Sequence, residues 1–237
     1  MNLTNADIKN LKDKKFRKQH SLFMVEGEKF CKDLLNTDIE IKYTITSDKN
    51  LTGFPNIEVV SEKMLSSLAT TKTNQNIVCI CKVKDYGLSS VGNSLILDNL
   101  QDPGNVGTLI RSALAFGFKD IYLIEGVDPF NEKVIRSSAG TILKVRLHEC
   151  SYAQIQQNKD KIAQNFVVAD MFGTSINKIH LQKERFAVII GNEGQGVSEF
   201  MHKLANTTIS IPMMPEVESL NAGVAGSIIM QKLGEVE

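Results

Sequence analysis

Leu95-Ile96-Leu97-Asp98-Asn99-Leu100-Gln101-Asp102-Pro103-Gly104-Asn105-Val106-Gly107-Thr108-Leu109-Ile110-Arg111 is the stretch that decides the fold. Its first three residues read as a buried strand, and from Val106 to Phe116 apolar residues return at helical spacing. Between them Asp102-Pro103-Gly104-Asn105 makes a turn and a helix start, because proline fixes φ and asparagine caps well. A strand, a polar loop and a helix in this order are the beginning of a parallel β-α-β unit.

The pattern continues outward. Further strands are read at 121–124, 145–147, 166–169, 187–190 and 208–211, with helices at 106–116, 132–138, 152–163, 198–204 and about 221–233. Strands separated by helices of this length predict a parallel sheet covered on both faces. Upstream, residues 6–35 read as helix, short strand and helix. Strands at 41–45, 58–60 and 77–83 follow, with a helix at 62–68. The small, polar run Tyr86-Gly87-Leu88-Ser89-Ser90-Val91-Gly92-Asn93 reads as a linker. The expected organisation is therefore an α/β unit over 1–85, a linker over 86–93 and a parallel α/β domain over 94–237.

The chain has 237 residues, 42% of them hydrophobic, as in a globular protein. No apolar run reaches the ~18 residues of a membrane span, and Met1 to Asp7 lack the profile of a signal peptide. The expected location is the cytoplasm. Cys79 and Cys81 alternate on one strand face, while Cys31 and Cys150 lie far from them. Buried reduced thiols are the simpler reading. His20, His148, His180 and His202 are scattered, so no ligand role is assigned. The net charge is zero, but Lys9, Lys12, Lys14, Lys15, Arg17 and Lys18 are opposed only by Asp13. Such a stripe can neutralise phosphates, although a charge run by itself is more often a solvated helix face.

In open parallel sheets ligands bind outside the carboxyl ends of the strands, and three strand ends here carry polar, glycine-bearing loops. The first contains Asn105 and, about a turn and a half further, Arg111 among apolar neighbours, where it must snorkel or meet an anion. The second, Gly191-Asn192-Glu193-Gly194-Gln195-Gly196, lacks the Lys-Ser/Thr of a phosphate loop and the spacing of a dinucleotide fingerprint. Its glycines let backbone amides approach a flat neutral ring, or make a plain tight turn. The third runs from Pro212 to Asn221. Ser219 there can be only an N-cap, and Leu220, Val224 and Ile228 recur at helical spacing as core or subunit interface.

Together, the ordered motifs N-x-x-D-P-x-N-x-G-x-x-x-R (Asn99 to Arg111), apolar-G-N-E-G-x-G (Ile190 to Gly196) and I-P-M-x(5)-S-L-N (Ile211 to Asn221) resemble those of the SpoU/TrmH family in the SPOUT superfamily. The resemblance spans 95–233 and includes Arg136-Ser137-Ser138-Ala139-Gly140. The first 85 residues are similar, through Lys15-Phe16-Arg17-Lys18 and Phe23 to Gly27, to the L30e-like substrate-binding domain of many members.

The resemblance implies a parallel sheet flanked by helices, a C-terminal deep trefoil knot and a homodimer built through it. It implies methyl transfer from S-adenosyl-L-methionine to a ribose 2′-hydroxyl of RNA, with 23S ribosomal RNA favoured over transfer RNA. The cofactor pocket would comprise Asp170, Met171, Gly191, Asn192, Glu193, Gly196, Ile211, Pro212, Met213, Leu220 and Asn221. Arg111 would bind the adjacent phosphate and stabilise the developing alkoxide rather than act as a base, since guanidinium does not readily deprotonate. Asn105, Glu193, Ser219 and Asn221 would orient the reactants. RNA contacts would come from Lys9, Lys12, Lys14, Lys15, Arg17, Lys18 and Arg136. A sulfonium leaving group is already activated, so no metal is called for. After Ser-Leu-Asn the chain departs from common family continuations with Ala222-Gly223-Val224-Ala225-Gly226. A base-nitrogen methyltransferase, a non-catalytic RNA-binding member and a nucleotide-dependent oxidoreductase are the competing readings.

Overall fold

A computed structural model describes residues 4–69, 76–179 and 184–234. His180 lies outside them, as do the extreme ends of the chain. Two compact units are present, one of Met1–Asp85 with Phe130–Ile135 and one of Tyr86–Pro129 with Arg136–Glu237. Among the described residues no helix is long and apolar enough to cross a membrane.

The first unit runs α1 (Asn5–Asn10), α2 (Lys14–His20), β1 (Leu22–Glu26), α3 (Glu28–Leu34), β2 (Ile41–Thr46), β3 (Ile57–Val59), α4 (Glu62–Leu68) and β4 (Ile77–Lys82). Its sheet has the order β1-β4-β2-β3, antiparallel except for the β2–β3 pair. The basic stretch is not one helix. α1 closes at Leu11, and Asp13 opens α2 by accepting the Phe16 N–H at 3.0 Å. Arg17 is buried at this break, 6% exposed, where its guanidinium donates to the Leu11 carbonyl at 2.6 Å. The expectation of Arg17 as an RNA contact is therefore corrected: it ties the two helices together. Lys9, Lys12, Lys14, Lys15 and Lys18 remain exposed, with Lys12 donating to the Ala69 carbonyl at 3.0 Å.

The second unit runs β5 (Ser94–Asp98), α5 (Pro103–Ala115), β6 (Asp120–Ile124), α6 (Glu132–Ser137), β7 (Arg146–Cys150), α7 (Tyr152–Ile162), β8 (Asn165–Ser175), β9 (Phe186–Ile190), α8 (Glu199–Leu204), β10 (Thr207–Ser210) and α9 (Ala222–Leu233). The first four residues of α6 group with the first unit. All neighbouring strands are parallel, in the order β10-β8-β9-β5-β6-β7. β5, β6 and β9 are buried along their whole length, which explains their continuous apolar runs. One face of the sheet, with Ile96, Tyr122 and Ile189, packs on Ile155, Ile162 and Met201 of α7 and α8. On α9 a Cβ at Gly226 would come within 2.3 Å of Leu109 in α5 and 3.2 Å of Ile190 in β9. Glycine there lets two helices and a strand close on one another. Chain order reverses around β5: the chain moves outward to β6 and β7, crosses to β8, and returns to place β9 between β8 and β5. Such a switch point is where open α/β sheets bind ligands.

The run 86–93 belongs to this unit and is packed, not slack. Ser90 is buried, with its hydroxyl 2.6 Å from Ser94 Oγ and 2.9 Å from the Tyr122 hydroxyl. Arg185 donates to the Ser90 carbonyl at 2.6 Å, and His148 Nδ1 lies 2.6 Å from the Gly87 carbonyl. Beneath it, fully buried Asp120 accepts the Val91 N–H at 2.9 Å. Its other oxygen lies 3.0 Å from His148 Nε2 and 3.2 Å from Arg146 Nε, the latter without hydrogen-bond alignment. Asp120→Ala would leave these donors without their acceptor. A loss of about 3–5 kcal/mol is expected, measured by urea unfolding.

Candidate active site

The loop after β9 is closed on itself. Asn192 and Gly196 exchange both backbone hydrogen bonds at 2.9 Å, and the Asn192 side chain accepts from the Gly194 and Gln195 amides at 2.9 and 3.1 Å. Gly196 has φ +71°, a conformation that costs glycine nothing. The Asn192 side chain also donates to the Asn99 carbonyl at 2.8 Å, joining the second motif to the first.

Glu193 completes that junction. It accepts from Asn105 Nδ2 at 2.9 Å and from the Asp102 and Gln101 amides at 3.3 and 3.4 Å, just where α5 begins. α5 is capped by Asp102, which accepts the Asn105 N–H at 2.7 Å, so Asn105 is not the cap; its buried amide is free to hold Glu193. Partial burial raises the Glu193 pKa, but the hydrogen bonds from Asn105 and the backbone outweigh it and hold the carboxyl below the usual 4.5. Glu193 is thus an ionised latch between two motifs. A depressed folded pKa contributes stability above the unfolded value, and this is lost as pH falls through the folded value. Glu193→Gln is expected to lower stability at neutral pH by less than about 1 kcal/mol, given the carboxylate's exposure. The gap to wild type should shrink below pH 4.5, read from urea midpoints across pH.

The third motif leads into α9. Asn221, not Ser219, is the N-cap, accepting the Val224 N–H at 3.2 Å. The Ser219 hydroxyl therefore has no capping duty and makes no hydrogen bond among the described residues. A fourth element carries the expected Asp170 and Met171, in a form the sequence did not show. β8 pairs with β10 at Val168↔Thr208 and resumes at Thr174↔Ile209, so residues 169–173 bulge out between consecutive partners.

These pieces enclose a cavity of about 580 Å³, in the usual range for a small-molecule site. Of the expected cofactor residues, Asp170, Met171, Gly191, Asn192, Glu193, Gly196, Ile211, Met213, Leu220 and Asn221 line it, as does Ser219. Pro212 does not; it is exposed between two lining neighbours. Phe172, Ala225 and Ile229 line it without having been singled out. For the last two the signal was present, since Ala222, Ala225 and Ile229 share one helical face beyond Asn221. Among the described residues, Asp170 and Glu193 are the only charged ones in the wall, with no lysine, arginine or histidine. A pyrophosphate would meet two carboxylates and no cation, which counts against the oxidoreductase reading, whereas a cationic or neutral ligand is suited.

Arg111 does not line the cavity. It is exposed on α5, six residues beyond Asn105, about 9 Å along the axis. It makes no hydrogen bond or ion pair among the described residues. Arg136 is exposed at the end of α6.

Fold and wall define a class: a parallel α/β enzyme domain holding a neutral or cationic small molecule at the carboxyl ends of β8, β9 and β10. Residues 92–231 match the SpoU rRNA Methylase family, and residues 6–79 match the MRM3-like substrate binding domain. The chain is 32% identical to the 23S rRNA (guanosine(2553)-2′-O)-methyltransferase RlmP of Bacillus subtilis, across 96% of this chain and 94% of that protein. The AdoMet-bound rRNA methyltransferase of Sinorhizobium meliloti superposes with a TM-score of 0.86 at 25% identity, covering 96% of this chain and 92% of that one. The SpoU methyltransferase AviRb of Streptomyces viridochromogenes, solved with AdoMet, gives 0.85 at 19% identity over 98% and 97%, a likeness of fold alone. The chain belongs to the SpoU rRNA methylase family, as its three ordered motifs indicated.

Proposed function

We propose that this protein transfers a methyl group from S-adenosyl-L-methionine to a ribose 2′-hydroxyl of 23S ribosomal RNA. One observation carries the reading: the second and third motifs line one cavity, the first is tied to its wall through Glu193 and Asn192, and among the described residues the charges in that wall are negative. That wall suits a ligand bearing a sulfonium, and Ile211, Met213 and Leu220 give it apolar sides. When bound, S-adenosyl-L-methionine supplies an electrophilic methyl group on a good leaving group. The chain's part is to hold the two reactants in line, which in ideal systems lowers a barrier by ~7–11 kcal/mol. Gly191 and Gly196 bring backbone close to the ligand, while the Asn105–Glu193 latch sets the loop against α5. Arg111, unpaired and facing solvent, meets the RNA from outside the cavity. There it binds the phosphate beside the target and stabilises charge developing on the ribose oxygen.

The same reading gives the chain a C-terminal trefoil knot and a homodimer through α9, whose Val224 and Ile228, one turn apart, are 47% and 40% exposed. The first unit serves as an L30e-like grip on structured RNA, using the exposed Lys9, Lys12, Lys14, Lys15 and Lys18; in the second unit the exposed Arg136 is a separate RNA contact. The protein works in the cytoplasm. The test is a map of 2′-O-methyl sites in ribosomal and transfer RNA from cells with and without the gene, alongside transfer by the purified protein. Loss of one 23S ribosomal site supports the reading. A missing transfer-RNA site, a methyl on a base nitrogen, or no change overturns it.

A further inference from the structure

Phe172 is 90% exposed at the edge of the cavity it helps to line. Of the chain's 11 phenylalanines and four tyrosines, all described, it is the only one left exposed. Nothing in the fold requires it there: it contributes no core contact, and water meets nearly its whole ring.

The backbone beneath it is firmly held. Residues 169–173 form the excursion between the two paired stretches of β8 and β10. The Phe172 amide donates to Asp170 Oδ1 at 2.9 Å, and the other Asp170 oxygen lies 3.4 Å from His202 Nε2. At the base, Ser210 Oγ donates to the Gly173 carbonyl at 2.8 Å. A Cβ at Gly173 would sit 2.5–2.7 Å from the Ile209 backbone, so the excursion is pressed directly onto β10. An aromatic ring carried on a held backbone and left in water beside a reaction cavity is open to a flat partner, and single-stranded RNA offers such partners in its unstacked bases.

We infer that Phe172 is a stacking platform for a nucleobase of the substrate RNA, at or next to the nucleotide whose ribose is methylated. The inference rests on the proposed RNA methylation. The ring takes up the plane of the base, a contact separate from the phosphate contact proposed for Arg111. The role is one of positioning, and any base has the face it needs.

The chain contains no tryptophan, which makes Phe172→Trp a single-site fluorescent reporter. With purified Phe172→Trp protein, a ribosomal RNA fragment that the wild type methylates is expected to quench the indole emission, while S-adenosyl-L-methionine alone leaves it unchanged. Phe172→Ala is expected to raise the KM for that fragment roughly 5- to 100-fold, the range for loss of one base–aromatic stack. Its affinity for S-adenosyl-L-methionine by calorimetry should fall far less than the KM rises, because the ring stands at the rim of the cavity with 90% of its surface in water. Phe172→Tyr should restore the KM and Phe172→Leu should not, because flatness and not apolarity is required. Quenching by S-adenosyl-L-methionine alone would make the ring a cofactor wall and overturn the inference. So would an emission that blue-shifts with protein concentration without RNA, which would place it in a subunit interface. Unchanged emission on adding an RNA that the wild type methylates would also overturn it while leaving the methyltransferase reading intact. A wild-type protein that methylated no RNA would bring down both.

Discussion

Arg111→Ala is expected to lower the turnover number for RNA methylation by about 10²–10³-fold, the usual cost of losing a preorganised donor aimed at developing negative charge. Affinity for S-adenosyl-L-methionine should be unchanged, because Arg111 is absent from the cavity wall. The melting temperature should hold as well: the side chain is exposed and has no partner among the described residues. This combination separates a group that acts on the substrate from one that supports the fold. Arg111→Lys keeps the charge but presents a compact ammonium in place of a planar fork of donors, so it should recover little of the lost rate. Single-turnover methyl transfer with saturating RNA reads the chemical step directly, and calorimetry reads cofactor binding. Full activity in Arg111→Lys would remove Arg111 from the mechanism.

The sequence disclosed the order of strands and helices in the second unit, because buried parallel strands leave continuous apolar runs, but it ended β8 at Ala169 where the strand runs to Ser175 and started α5 at Val106 where Asp102 caps it. The site was legible for the same reason, since its three motifs are the loops at the ends of those runs. What stayed hidden depended on contacts between distant segments. Arg17 reads as one cation in a stripe of six, and only the break between Leu11 and Asp13 turns it inward. The excursion at 169–173 arises from pairing with β10, some forty residues later, so Phe172 carried no local signal. On α9 the apolar periodicity of Leu220, Val224 and Ile228 pointed to core or interface, and Val224 and Ile228 prove exposed within the chain. The buried face is instead Gly223, Gly226, Ile229 and Met230. Half of it is glycine, which close packing uses and a search for hydrophobic spacing passes over.

Gly191→Ala is expected to weaken S-adenosyl-L-methionine binding more than 100-fold, an effect of roughly 3 kcal/mol. A Cβ at this position would lie 2.3 Å from both the Gly196 carbonyl carbon and the Val197 nitrogen. These are backbone atoms of the segment that closes the loop, and no rotamer can move them aside. Relief requires opening the paired hydrogen bonds between Asn192 and Gly196. That in turn withdraws Asn192 from the Asn99 carbonyl and Glu193 from Asn105, and the cavity loses its junction with α5. The neighbouring Gly194→Ala serves as the control. Its nearest obstacle would be Asn192 Oδ1 at 3.7 Å, an ordinary contact, and its φ is not in the left-handed region. Calorimetry on the two variants therefore compares the same substitution three residues apart in one loop. Loss in Gly191→Ala with wild-type affinity in Gly194→Ala would tie ligand binding to the closed form of this loop. Equal affinities in both would show that the loop can open without disturbing the site, and the cavity would then not be where the methyl donor is held.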